Sequence, residues 1–188
     1  MRRTSLLLGA ALLALAAGSG CTTGIKQVYH AAVGASPRYY EIKSLGGETA
    51  LDGYTAVGVE LFDPAPLRGA LPSRVPQLVQ AACIKHLTEL ETFTQVTAGA
   101  PPAGGLLVRG KFMDFDPGGS ALRAVGFGVD PFLTAQIEVV DTATGRVLGV
   151  AMVTGTVKSA VRTGLEELAD GVGKAVKGLF ERHRSEPK

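Results

Sequence analysis

From Phe132 to Asp141 the chain alternates, with Leu133, Ala135, Ile137 and Val139 set against Thr134, Gln136 and Glu138. In extended backbone successive side chains leave on opposite faces, so this stretch has one apolar row and one polar row. It predicts a strand with one face on a core and the other uncovered. Asp141 to Gly145 then reads as a turn, because Asp can bond the backbone two residues on and Gly accepts a positive φ. Arg146 to Val157 returns as the second arm of a hairpin. Such a hairpin must find cover for its apolar face, and that demand constrains the rest of the chain.

Two amphipathic stretches can supply the cover. Val75, Val79, Cys83, Leu87 and Leu90 form one stripe, predicting a helix from an N-cap at Ser73 to about Glu91. Val161, Leu165, Leu168, Val172, Val176 and Leu179 form another, predicting a helix from about Ser159 to His183. Gly171, Gly173 and Gly178 each weaken that helix by ~1 kcal/mol against Ala, or else permit close packing on the sheet. Further strands are expected at Tyr54–Phe62, ended by Asp63-Pro64-Ala65-Pro66, and at Phe93–Thr97 and Leu106–Asp116. On the last of these, Leu106, Val108, Gly110 and Phe112 share one face. Leu107, Met113 and Phe115 share the other with Arg109 and Lys111. The order β-α-β-β-β-β-α predicts an α/β sandwich: one mixed five-stranded sheet with two helices on one face. The strand after the first helix is expected to pair parallel to the first strand through a crossover.

The N-terminus carries a different signal. Arg2 and Arg3 precede an apolar run from Leu6 to Ala17, then Gly18, Ser19 and Gly20, then Cys21. This is the charged, apolar and small-residue order of a secretory signal, too short for the ~20 residues that span a bilayer. Small residues directly before a cysteine resemble the bacterial lipobox, with Gly18 where that pattern most often carries Leu. The resemblance implies cleavage before Cys21 and acylation of its thiol and new amine, which gives stable anchoring. Thr22, not Asp, in the next position implies the outer membrane, facing the periplasm. The alternative is an ordinary signal cut near Gly20, with Cys21 a free thiol. The expected organisation is a signal peptide over residues 1–20, a lipidated N-terminus and flexible tether over 21–50, and an α/β domain over 51–184. The tether is rich in Gly, Ser, Thr and Ala and has room for a short ordered piece around Tyr39 to Ile42.

Removing Arg2 and Arg3 from the 19 basic residues leaves 17, against 17 acidic ones. The mature chain has no concentrated cationic surface of the kind nucleic acid requires. With Cys21 acylated, Cys83 has no disulfide partner and reads as a small core residue.

Catalytic and metal motifs are not apparent. His30, His86 and His183 lie far apart, without paired metal-ligand spacing, and His86 reads as a partly exposed or hydrogen-bonded histidine. Asp114 and Asp116 alternate on one strand face before Pro117-Gly118-Gly119, but a full calcium loop does not follow. No GxSxG elbow or phosphate loop occurs, and Glu166 and Glu167 suit a helix N-terminal half. No cofactor, metal or enzymatic activity is expected.

The segment from Pro117 to Pro131 is unusual for a connection, being glycine-rich and apolar, with Leu122, Val125, Phe127 and Val129 around Arg123 and before Asp130. Either it folds over the uncovered sheet face and becomes core, or it is a docking surface. On the second reading Leu122, Arg123, Val125, Phe127 and Asp130 are the candidate interaction residues.

Gly118-Gly119-Ser120-Ala121-Leu122-Arg123, Gly126-Phe127-Gly128 and Val139-Val140-Asp141-Thr142-Ala143-Thr144-Gly145-Arg146-Val147-Leu148 resemble a family of bacterial lipoproteins known as domain of unknown function 4410. The resemblance runs from about Tyr54 to Phe180 and implies no catalytic residues. The plan is also similar to the periplasmic domain of curli-secretion lipoproteins and the N-terminal domain of TolB, an analogy of fold that transfers no function. The expected function is that of a non-enzymatic, membrane-anchored envelope lipoprotein, binding an envelope protein or itself. The alternatives are a small ligand-binding or hydrolytic domain using the open sheet face, and a secretion-channel subunit.

Overall fold

The structure, a computed structural model, describes residues 35–67, 70–101, 104–118, 130–157 and 164–185. Its strands are β1 (Ala35–Lys43), β2 (Ala56–Val59), β3 (Gln95–Ala98), β4 (Leu106–Asp116), β5 (Phe132–Asp141) and β6 (Val147–Val157). Its helices are α1 (Val75–Thr88) and α2 (Leu165–Arg182), with a short 3-10 turn at Ala65–Leu67. The strands form one mixed sheet in the order β1-β6-β5-β4-β2-β3. β2 pairs parallel with β3 and with β4, while β4, β5, β6 and β1 are antiparallel in succession.

The sheet therefore has six strands, not five. The additional strand, β1, lies inside the stretch expected to be flexible tether. It pairs with β6 from Ala35↔Val157 to Lys43↔Val150. β1 is an edge strand containing Pro37 and showing little apolar alternation. Edge strands tolerate proline and need only one row of contacts, so the sequence pattern was weak.

The hairpin is as its alternation predicts. Leu133, Ala135, Ile137 and Val139 are buried beneath the helices, and Ala135↔Val153 and Ile137↔Ala151 continue that face onto β6. At the turn, the Ala143 amide donates to Asp141 Oδ1 at 2.8 Å and Gly145 has φ +68°. The β2–α1–β3 crossover joins two parallel strands, as expected.

α1 starts one residue later than predicted. Its N-cap is Arg74, not Ser73, without a side-chain capping bond, and a proline stands in its first turn. Proline fixes a helical φ and lacks an N–H that would go unpaired there. Val75, Val79, Cys83 and Leu87 of α1 and Leu168, Val172, Val176 and Leu179 of α2 are buried in one core with Phe62, Phe112 and Phe180.

Glycine sets how closely these layers approach. A β-carbon on Gly155 of β6 would collide with the Leu168 carbonyl oxygen of α2. One on Gly173 of α2 would lie 2.7 Å from the Ala82 carbonyl carbon and oxygen of α1. Of the two roles read for the α2 glycines, Gly173 fulfils close packing, but against the other helix.

A bulge on β4 changes one assignment. Phe112 pairs with Ala135 and Asp114 with Thr134, leaving Met113 as the extra residue. An extra residue reverses the side-chain parity beyond it. Phe115 therefore pairs with Leu133 and packs on the core, not on the uncovered face with Arg109 and Lys111.

Candidate interaction face

Both helices cover one side of the sheet. Register assigns the other side Arg38 and Tyr40 on β1, Met152 and Thr154 on β6, Thr134, Gln136 and Glu138 on β5, and Arg109, Lys111 and Asp114 on β4. Thr134 and Thr154 hydroxyls pair across the strands at 3.0 Å. Arg109 Nε and Nη2 both lie 2.8 Å from Glu138 Oε2, a surface ion pair of the kind that contributes little stability.

An open groove of about 310 Å³ crosses this face between Glu60, Leu61, Asp63, Lys111, Gln136 and the Arg109–Glu138 pair. It contains two cations, three carboxylates and an amide. Hydrogen bonding and charge pairing are open to such a set. Tyr40 is 71 % exposed, Ile42, at a β1 bulge, 56 %, and Leu61 52 %.

Of the residues singled out in the sequence, Cys21, Leu122, Arg123, Val125 and Phe127 lie outside the described residues. Asp130 is described and exposed, one residue before Pro131, whose carbonyl accepts the Val157 amide at 3.0 Å. Asp114 Oδ1 accepts the Phe115 amide at 2.9 Å and Asp116 Oδ1 accepts the Gly118 amide at 2.6 Å, so each carboxylate serves its own turn. Among the described residues, no three His, Cys, Asp or Glu side chains are grouped to hold a metal ion, and no helix is long and apolar enough to cross a membrane. Cys83 is fully buried, and burial pushes its thiol up to about 12, so the thiolate needed for reaction is suppressed.

Polar networks lie behind the face, and the hydrogen-bonded reading of His86 holds within them. His86 is buried between the helices, with Nδ1 3.0 Å from Glu89 Oε2 and Nε2 2.7 Å from Asp170 Oδ1. Lys85 and Lys174 also reach Asp170, at 3.2 and 2.8 Å, and Lys177 reaches Glu89 at 3.2 Å. Burial pushes the Asp170 carboxyl up, but the bonds from Lys174, His86 and Lys85 outweigh it and hold the group well below the usual carboxylate range. His183 is buried just after α2. Its Nε2 lies 3.0 Å from Glu41 Oε2 of β1 and its Nδ1 3.2 Å from the Gly47 carbonyl. Arg184 stacks 4.2 Å from the Phe93 ring centre and donates to Thr92 Oγ1 and the Tyr54 carbonyl. Only the His86–Glu89 and Asp170–Lys174 contacts had a readable signal, the i,i+3 and i,i+4 helix spacings. The others join residues more than eighty positions apart.

No curated protein matches the chain in sequence. Among solved structures, it is similar to the PelC dodecamer from Paraburkholderia phytofirmans, with 13 % identity over 80 % of this chain and 98 % of that one, at a TM-score of 0.50. A single-substitution variant of the same dodecamer matches with 14 % identity over 81 % of this chain and 99 % of that one, at a TM-score of 0.51. At these identities the likeness is one of fold. Residues 65–160 match the family described as Domain of unknown function (DUF4410), a narrower span than the Tyr54–Phe180 expected, but one that includes α1, the Asp141–Gly145 turn and the glycine-rich connection. The chain belongs to that family.

Proposed function

We propose that this chain is a membrane-anchored lipoprotein of the bacterial cell envelope that works without catalysis, as an assembly component associating with further copies of itself. The observation that carries the reading is the uncovered sheet face. It presents two unlike patches: Arg38 and Tyr40 on β1, and Leu61 with Glu60 and Asp63 across the sheet. The patches are complementary in charge, and each offers an exposed apolar side chain. Contact between unlike patches is heterologous and either closes into a ring or continues as a filament. The shared fold with chains solved as a dodecamer supports self-association. The signal-like N-terminus and Cys21 support the lipid anchor, with the periplasmic face of the outer membrane as its address.

Native mass spectrometry of the detergent-solubilised chain tests the assembly. An oligomer is expected, and Tyr40→Lys or Leu61→Lys shifts it toward monomer. A wild-type chain that stays monomeric at high concentration refutes self-association. Mass spectrometry of the mature N-terminus tests the anchor; an unmodified Cys21 removes it. The polar groove favours a second reading, a small ligand-binding domain. Ligand-induced NMR shifts confined to Arg109, Lys111 and Gln136 would support that reading instead.

A further inference from the structure

We propose that the open edges of the sheet join copies of this chain, β1 of one copy pairing antiparallel with β3 of the next, so that one sheet runs on from subunit to subunit. This rests on the self-association read above and adds which backbone makes the contact. β1 has only β6 beside it in the sheet, and β3 has only β2. Among the described elements, β1 otherwise packs against α2, and β3 against α1. An unpaired edge is a row of free amides and carbonyls, a template for a further strand. The sense suits a head-to-tail repeat. β3 runs parallel to β6 and β1 runs against it, so copies in the same orientation meet antiparallel.

Strand alternation fixes which groups are free. The Val157 amide donates to the Pro131 carbonyl of the β5 side, so Thr156, Thr154 and Met152 face β1. Their partners Ser36, Arg38 and Tyr40 direct N–H and C=O inward. Pro37, Tyr39 and Glu41 then direct theirs outward, and the proline stands where its missing N–H leaves β6 without loss. On β3, the Gln95 amide reaches the Thr55 carbonyl at 3.3 Å and the Gly99 amide the Val59 carbonyl at 2.7 Å. Thr97, midway between them, also faces β2, which leaves Val96 and Ala98 facing outward. Among the described residues, no backbone bond uses these outward groups.

Each edge therefore offers a pair of complete residues at the same spacing. Glu41 opposite Val96 and Tyr39 opposite Ala98 lets both pairs exchange bonds in both directions. A slip one way sets Pro37 against Ala98 and loses a donor; a slip the other way meets the β1 bulge at Ile42. In the favoured register Pro37 falls past Gly99, whose φ of +80° turns the chain away. The faces agree as well. Tyr39 and Val96 both pack against the core, which leaves Tyr40 and Thr97 together on the uncovered side. Val59 pairs with Ala98, so Arg38, opposite Gly99, stands beside Glu60 at the groove.

Disulfide trapping of the full chain tests the register, and native mass spectrometry of the wild type reports the oligomer. Tyr40 and Thr97 form a non-hydrogen-bonded pair in this register, with Cα atoms about 4.5 Å apart, within disulfide reach. Tyr40→Cys with Thr97→Cys should link copies about tenfold or more faster than the slipped control, Tyr40→Cys with Gln95→Cys. Equal trapping in a chain that is oligomeric as wild type overturns the edge pairing and leaves self-association standing. A monomeric wild type overturns both. Ala98→Pro removes an outward N–H and no bond within the chain, so it should keep the melting temperature and shift the oligomer to monomer. An Ala98→Pro chain that assembles like the wild type removes β3 from the interface.

Discussion

Gly173 and Gly178 lie on one helix and differ in what surrounds them. A β-carbon at Gly173 meets the Ala82 backbone, which cannot yield without moving α1; at Gly178 the nearest atom is Tyr39 Cε1, at 3.3 Å, on a ring that can turn. Gly173→Ala should therefore cost about 1–3 kcal/mol through overpacking. Gly178→Ala should be neutral or gain up to about 1 kcal/mol through helix propensity. Urea denaturation midpoints measure both, and equal effects would contradict the packing account. The sequence identified these glycines but could not separate them, because the difference depends on a helix some ninety residues earlier. It did identify Cys83 as core, since that position repeats with Val79 and Leu87 on a stripe visible within fifteen residues.

At the scale of the element, the interior strands with a clear apolar row were the most legible. β4 and β5 have partners on both sides and a clear apolar row, and their ends agree with the sequence reading. β1 has one neighbour and was read as tether apart from a short piece around Tyr39 to Ile42. The Met113 bulge left no mark either, because Phe112 and Phe115 are equally apolar and their faces depend on a residue without a partner. Deleting Met113 should test that geometry. The deletion removes the extra residue and leaves Asp114 opposite Thr134 and Phe115 opposite Leu133, so Phe115 stays on the core. The expected result is a melting temperature close to that of the wild type. A large loss of stability, together with faster amide exchange over Leu133 and Thr134, would contradict the assignment of Met113 as the extra residue.

Over the whole molecule, the ionic contacts join parts that are remote in sequence: Glu41 to His183, and Lys85 and His86 to Asp170. The carboxyls of Glu41, Glu89 and Asp170 are all depressed in the folded state. Their contribution is fully present above the ordinary carboxyl values near pH 4 and is lost as the pH falls through the lower folded values. Urea midpoints should therefore fall on acidification below about pH 4. Asp170→Asn should be less stable at neutral pH and show a shallower acid decline; an identical slope would remove Asp170 from the account. The uncovered face was anticipated from the Phe132–Asp141 alternation. Its two patches were not, because they combine residues from β1 and from the segment after β2, which meet only through the sheet order.

That order has a consequence for biogenesis. β1 comes first in the described chain, but its pairing partner begins at Val147, and the residue gripping its Glu41 is His183. β1 therefore has no seat until the segments carrying β6 and His183 have been synthesised. A body whose first strand waits for such late partners stays open through most of its own synthesis.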